Sequence, residues 1–449
     1  MNFSIKKLIP SFLINIYHFL WAFYGALING FPSKKIKVIG VTGTNGKSTT
    51  INLIVKILKE AGYKTAELSS IKFKIGKNEK INTLRMTMPG KGIIQKFLKD
   101  AVNQACDFAI IEVTSEGIKQ YRDKFINFDT AVFTNLSTEH IEAHKGFENY
   151  KKAKAKFFKK AKNIHIINLD DEYADYFLKF PAKKKYGYKI YREQSLPNSN
   201  LNTKSVKYVG YPISYIGGGN IEILPSGIKF SIRNEEFNLK LLGKFNIYNA
   251  LAAICVGLSQ GIDLKVCKNG LEKAKTVPGR MEVVITEPFN VFIDYAFTPN
   301  ALEQVYKTIR SGWLNIPSPE GGTKKKLICV LGACGGGRDK WKRPVLGKLA
   351  EKYCDKVIIT NEDPYDENPN QILLDIKSGI SNDKIQMTNL ILDRRQAIKN
   401  ALKSAQSGDV VVITGKGSEP SICLANGKKI PWKDKKVVLE EFSKLNHDF

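Results

Sequence analysis

Histidine is scarce in this sequence, with five among 449 residues, at positions 18, 140, 144, 165 and 447. The seven cysteines (106, 255, 267, 329, 334, 354 and 423) include no Cys-x-x-Cys pair. That pattern argues against a zinc ribbon and against a disulfide framework, and for a reducing compartment. No homeodomain, zinc-finger or RNA-binding signature appears, so no nucleic-acid partner is expected. There is no internal repeat and no long low-complexity tract. Acidic residues are outnumbered, 43 against 70 Lys and Arg, for a formal net charge of +27. The excess is mostly lysine, scattered in short runs such as KKAKAKFFKK (151–160), and reads as a solvated, lysine-biased surface.

What is present is a normal globular composition, 43% hydrophobic, in a chain long enough for about two or three domains. Residues 8–33 carry no charge and follow Lys6 and Lys7. The segment is long enough to span a bilayer, but a strand-like run begins at Lys34 with almost no linker. No small-residue cleavage site marks it as a signal peptide. Two readings stand: a helix packed on its own domain, or peripheral contact with a membrane.

Short β-branched runs alternate with helical patterns at 37–43, 108–114, 130–136, 164–170, 290–296, 326–332, 356–360 and 409–415. This is the signature of parallel sheets covered by helices, with ligands expected at the carboxyl ends of the strands. Residues 185–240 alternate and carry turn glycines, which suggests a small antiparallel patch. The expected fold is α/β. An apolar helical segment (1–33) precedes a central P-loop-like ATPase domain with a parallel-rich sheet (34–276) and a C-terminal Rossmann-like domain (277–449), with the boundary near TVPGRMEVV (276–284).

GVTGTNGKSTT (40–50) joins a strand to a helix through a glycine-rich turn. Such a turn points backbone N–H groups and a helix N-terminus at a phosphate. Lys47 would reach the outer phosphates of ATP and Ser48 would hold Mg²⁺. The common P-loop has a glycine where this chain has Val41, and Gly40 and Gly43 offset it.

Eight stretches in register carry a family resemblance: GTNGKST (43–49), EVTSEG (112–117), TNLSTEHIEAHKGFENYKKAK (134–154), LLGKFNIYNALAA (241–253), VPGRMEV (277–283), IDYAFTPNAL (293–302), LGACGGGRDKWKRP (331–344) and GKGSE (415–419). The chain resembles the Mur ligase family, most closely its UDP-N-acetylmuramoyl-tripeptide synthetase type. The resemblance implies ATP-dependent amide ligation in peptidoglycan biosynthesis. An N-acetylmuramoyl-L-alanyl-D-glutamate precursor would be activated as an acyl-phosphate and joined to an amino acid, in the cytoplasm or at the inner face of the cell membrane. Converging negative charges call for cations and metal. The resemblance implies Gly43, Thr44, Asn45, Gly46, Lys47, Ser48 and Thr49 around the phosphates, with Asn246, Asn249, Arg280 and Asp294 also toward ATP. It implies Ser48, Glu112, His140 and a carbamylated Lys154 at Mg²⁺, so that Lys47, Glu112, His140 and Lys154 form the catalytic set. Thr87, Thr114, Ser115 and Arg122 would hold the precursor. Arg338, Asp363, Tyr365, Gly415 and Glu419 would hold the incoming amino acid.

This chain departs from the family's pattern at several places. Phe297 stands where a histidine is usual, Glu116 replaces a histidine, Met88 a threonine, and Ser418 the histidine of Gly-Lys-Gly-His-Glu. Members that take meso-diaminopimelate carry Asp-Asn-Pro-Arg, whose arginine grips a distal carboxylate. Here Glu362-Asp363-Pro364-Tyr365 lies in an acidic stretch, which suits a free ammonium and favours L-lysine or another basic diamino acid such as ornithine. In the family a UDP-binding domain precedes the ATP loop, whereas here the loop starts at residue 40, so the acceptor is either UDP-linked or lipid-linked. The alternatives are a Mur-like ligase or amidotransferase subunit on a lipid-linked precursor, a folylpolyglutamate synthetase-like ligase, and a non-catalytic scaffold.

Overall fold

The computed structural model describes residues 10–84, 86–191, 206–208, 211–314, 325–381 and 386–445. Residues 1–9 of the N-terminal segment, and 192–205 and 209–210 of the alternating stretch, lie outside the described residues.

Two sheets organise the chain, and each of the eight β-branched runs supplies one parallel strand. The first sheet has 12 strands. At its centre β1 (Lys37–Thr42) lies between Phe108–Glu112 and Phe128–Phe133, parallel to both. Ile164–Asn168 and Lys184–Ile190 extend the parallel array on one side, and Thr65–Leu68 on the other. β1, Phe108–Glu112, Phe128–Phe133 and Ile164–Asn168 are buried almost throughout, which explains their apolar, β-branched character. Both edges turn antiparallel, as a hairpin (Lys72–Ile75, Asn78–Ile81) and a meander over 211–239. The antiparallel patch anticipated over 185–240 is therefore continuous with the main sheet, because Lys184–Ile190 pairs parallel with Tyr211–Leu224.

The second sheet has six strands in the spatial order 282–285, 290–294, 410–414, 327–331, 356–360 and 388–391. All neighbours are parallel except the first pair. The strands ending at Asp294, Leu331 and Thr414 are neighbours although the chain visits them far apart. Chain order reverses there, and a crevice forms beyond their carboxyl ends.

One expectation is overturned outright. Cys329 and Cys354 form a disulfide, with Cα atoms 6.1 Å apart. The strand Leu327–Leu331 and the end of the helix Lys342–Tyr353 are packed side by side, so a separation of 25 residues becomes a contact. The other five cysteines form no disulfide.

The N-terminal segment forms α1 (Ser11–Ile28), ended by Asn29, Gly30 and a left-handed Phe31. Eighteen residues rise about 27 Å. No helix among the described residues is long and apolar enough to cross a membrane. α1 packs on the central domain through Phe125, whose ring meets Phe19, Phe23 and Phe31 edge-on.

Candidate functional site

The glycine-rich turn occupies the gap between β1 and α2 (Lys47–Glu60). Val41 remains inside β1, fully buried and paired with Glu112. The strand runs on through Thr42, and no glycine is required at position 41. Gly43 and Gly46 are required. Both have positive φ, and a Cβ would meet Thr134 Oγ1 at 1.9 Å and Asn249 Oδ1 at 2.3 Å respectively. Asn135 fixes the turn by accepting from Thr44 N through its carbonyl and from Asn45 N through its side chain, each at 2.9 Å. Thr44 Oγ1 is 3.0 Å from the Tyr150 hydroxyl. Asn249 accepts from Thr50 and donates to Asn246, which donates to the Leu242 carbonyl. The two asparagines therefore brace the turn from behind. Thr49 is buried in the first turn of α2.

Three groups anticipated at the metal meet in front of the turn. Glu112, only 3% exposed, accepts from Ser48 Oγ and Ser70 N, both at 2.9 Å. Lys47 Nζ donates to the carbonyls of Gly43 and Thr44 and lies 3.8 Å from Glu112 Oε1. Lys154, 2% exposed, donates to the Gly43 carbonyl at 2.8 Å and sits over the Tyr150 ring. Burial, with Lys47 adding to it against Glu112, holds the Lys154 amine well below the usual lysine value. His140 adopts a left-handed backbone (φ 57°) at the start of the short helix Ile141–His144. For a non-glycine residue that conformation is strained by about 1–2 kcal/mol. Burial, and then Arg338, push the His140 imidazole down to about 2, so it is neutral with a lone pair available.

The precursor-side residues divide. Thr114 caps the helix Ser115–Lys119 by accepting from Gly117 N, and Ser115 Oγ is 3.1 Å from His144 Nε2. Glu116 Oε1 lies 3.2 Å from the same nitrogen. Arg122 is turned onto the Met88 carbonyl and Gln120. Thr87 lines a narrow cleft together with Ser70, Arg280, Tyr295 and Glu419. Arg280 stacks 4.3 Å from the Tyr295 ring. Asp294 accepts from the backbone N–H groups of Met281 and Ala296, which fixes the turn carrying Arg280. Arg338 stands near His140, Cys334, Tyr295 and Tyr365.

The acidic stretch at 361–369 does not present its carboxylates as the sequence suggested. Asp363 is 1% exposed and accepts both from Lys416 Nζ at 2.9 Å and from Cys423 N. Asp366 accepts from Asn426 N, and Glu367 pairs with Arg343. Lys416 also pairs with Glu419, which accepts from the Tyr295 hydroxyl. Glu362 accepts from the Cys334 thiol, while its Oε2 is buried beside Gly415 without a hydrogen-bond partner. Burial and Asp363 push the Glu362 carboxyl up. The donor atoms of Cys334, Glu362 and Asp363 lie within 4.8 Å of one another, but the hydrogen bond and Lys416 already compensate their charge. Tyr365 has a positive φ (52°) and packs against Gly336.

These geometries match a known group of proteins. Residues 41–257 match the Mur ligase middle domain, and residues 279–417 match the "Mur ligase, glutamate ligase domain". The UDP-N-acetylmuramoyl-L-alanyl-D-glutamate–2,6-diaminopimelate ligase 1 of Clostridium acetobutylicum is 36% identical over 426 residues, covering 94% of this chain and 81% of its own. The chain belongs to the Mur ligase family. It is accordingly an ATP-dependent, ADP-forming amide ligase. A solved UDP-N-acetylmuramoyl-L-alanyl-D-glutamate–2,6-diaminopimelate ligase is 30% identical, with a TM-score of 0.57 over 92% of this chain and 79% of its own. Folylpolyglutamate synthase of Mycobacterium tuberculosis, at 16% identity, a TM-score of 0.65 and coverage of 88% and 92%, shares the fold alone.

Sequence reasoning passed over the residues that join this Mur ligase's two halves. Glu139 and Lys342 form an ion pair of 2.8 Å, with side chains 3% and 2% exposed. The same Lys342 ammonium sits 4.9 Å from the centroid of the Phe297 ring. Asp339 accepts from the backbone N–H groups of Ile141 and Glu142, and Glu142 accepts from Lys340 N. Together these contacts clamp the segment carrying His140 to the loop carrying Arg338. Removing one member of a buried pair costs about 3–5 kcal/mol, because the other charge stays buried and unpaired. Lys342→Met is expected to lower kcat about 10²-fold with little change in nucleotide binding, since the clamp acts on closure. The Glu139→Gln/Lys342→Met double variant should recover much of that loss. Steady-state kinetics with nucleotide titrations check both. Equal kinetics for single variant and wild type would remove the clamp.

Proposed function

We propose that this Mur ligase activates the free carboxylate of UDP-N-acetylmuramoyl-L-alanyl-D-glutamate and joins it to a diamino acid, with L-lysine or ornithine preferred. Ser70 carries the reading. Its N–H and hydroxyl engage Glu112 and Ser48 at the phosphate turn, while the residue lines the cleft shared by Thr87, Arg280 and Glu419. Groups assigned to nucleotide, precursor and amino acid thus surround one space. In the first step a carboxylate oxygen bonds the γ-phosphorus and ADP leaves. In the second, the amine forms the C–N bond, the acyl C–O bond breaks, phosphate departs and the ammonium proton is lost. Lys47 and Arg280 would face the transferring charge, and closure would keep water from the acyl-phosphate.

Mg²⁺ fits the residues present. Ser48 and Glu112 supply the oxygen donors a hard cation prefers, and His140 is neutral. Lys154, buried with a depressed amine, fits carbamylation: CO₂ bonds the nitrogen, a proton leaves, and a cation becomes an oxygen-donor anion. Bound there, Mg²⁺ would offset phosphate charge. We place the domain boundaries at 33/34 and 276/277, and the reaction in the cytoplasm, where α1 would bring it to the membrane's inner face.

The choice of amino acid rests on Glu362 and Tyr365. No arginine stands in 362–365 to grip a distal carboxylate, and the unpartnered Glu362 Oε2 offers a site for an ammonium, whose charge would offset the cost of ionising it. The test is phosphate release with Mg-ATP, the UDP-linked dipeptide and lysine, ornithine or meso-diaminopimelate in turn. Lysine or ornithine should exceed meso-diaminopimelate by at least about tenfold in kcat/KM, the value of one charged hydrogen bond. Turnover with meso-diaminopimelate alone would overturn the amino-acid choice and keep the ligase. Silence with all three would overturn the UDP-linked acceptor.

A further inference from the structure

α1 is apolar on nearly every side, yet the domain covers only part of it. It touches the domain through the Phe19 and Phe23 rings on Phe125 and through the buried Gly25 and Ala26. Gly25 approaches Gly92 so closely that a Cβ would lie 2.6 Å from the Gly92 Cα, and Asn29 bonds the Gly25 carbonyl. Its outward face is large and apolar: Phe12, Ile16, Leu20, Tyr24, Leu27 and Ile28 are each 50–62% exposed. A contiguous patch of that kind marks an interaction surface. The Gly25–Gly92 contact and the Phe125 ring cluster hold the helix with this face turned out.

Charge identifies the occupant. The sequence holds no acidic residue before Glu60, while Lys6 and Lys7 precede the helix in sequence and Lys34 and Lys35 follow it. Lys34 reaches over the Phe31 ring, and Lys124 over the Tyr121 ring, which itself meets Phe19. An apolar face rimmed by lysines, with Tyr17 and Tyr24 as amphipathic rings, matches a helix lying in the interface of an anionic bilayer. A symmetric pair of chains meeting through this face would instead bring their lysine rims together. No helix among the described residues meets the combined length and apolarity needed to cross.

We propose that the outward face of α1, with its lysine rim, docks this ligase on an anionic lipid surface. The docked helix adjoins the segment 114–122 through Phe19 and Tyr121, so the precursor side of the cleft would lie toward the bilayer. This proposal stands independently of the amino acid and the acceptor.

The test is co-sedimentation of the full chain with vesicles of phosphatidylcholine alone or mixed with phosphatidylglycerol. Binding should be at least about tenfold stronger with phosphatidylglycerol and weaken with salt. Leu20→Asp/Leu27→Asp should abolish it with unchanged ATP turnover, showing the fold intact. Lys34→Glu/Lys35→Glu should weaken it by more than about fivefold per lysine, the value of one lysine at an anionic surface. No binding to either vesicle, or equal binding to both, overturns the proposal. So does a dimer in analytical ultracentrifugation that Leu20→Asp/Leu27→Asp dissolves without any vesicle binding.

Discussion

Lys47→Ala lowers ATP turnover by about 10²–10³-fold, the cost of removing one pre-positioned cation or donor from a transferring charge. The geometry argues for the upper end of that range. Lys47 is not swinging in solvent: two loop carbonyls hold its ammonium at 3.1 and 2.8 Å, and Glu112 faces it at 3.8 Å. Burial lowers its amine value, with Glu112 opposing and Arg280 reinforcing the shift. A phosphate arriving at the turn adds the negative charge this cluster lacks, so the interaction strengthens as charge moves onto the transferring group. Lys47→Arg should recover little, because the fork of a guanidinium cannot occupy the space shared by the Gly43 and Thr44 carbonyls. Phosphate-release kinetics check this, with thermal melts to show that the variant is folded. Turnover within tenfold of wild type would remove Lys47 from the chemistry and revive the non-catalytic scaffold.

Lys154→Ala is the second large effect, again about 10²–10³-fold, and it carries a signature that a structural lysine lacks. The described contacts of the Lys154 ammonium are one backbone carbonyl and the face of the Tyr150 ring, with no carboxylate hydrogen-bonded to it, beside a second lysine and inside the protein. A charge is costly there, and the neutral amine is the form that adds CO₂. The resulting carbamate reverses the sign of its interaction with Lys47 from repulsion to attraction. Activity should therefore fall in CO₂-depleted buffer and return with bicarbonate, and ¹³C-bicarbonate should give a carbamate resonance that Lys154→Ala lacks. Lys154→Arg should remain inactive, because guanidinium does not form a carbamate. Full activity of Lys154→Arg, or of wild type without CO₂, would overturn the assignment.

Lys47 was visible in the local pattern of the phosphate turn, whereas Lys154 stands in a lysine-rich run and was singled out only by the family resemblance. The eight strands were legible because strands buried on both faces read as unbroken β-branched runs, whatever lies next to them. The phosphate turn was legible because its geometry is set within a few residues by Gly43, Gly46 and the start of α2. Glu112 was legible as the residue closing a strand.

Pairings between distant segments were not legible. The acidic run 362–367 suggested a pocket for an ammonium, but Lys416, Asn426 and Arg343 come from elsewhere in the chain to engage Asp363, Asp366 and Glu367. Cys329 and Cys354 showed no spacing signal, because their contact is made by a strand and a helix packing together. Lys342 was one lysine among many until the fold put it between Glu139 and Phe297. The sequence by itself determined the family, the two-sheet α/β architecture and the phosphate turn, since each is written in periodicity or contiguous motif. Only the tertiary structure decided which charges are paired, which cysteines are joined and which face of α1 is bare, because burial and partners across the chain set those properties.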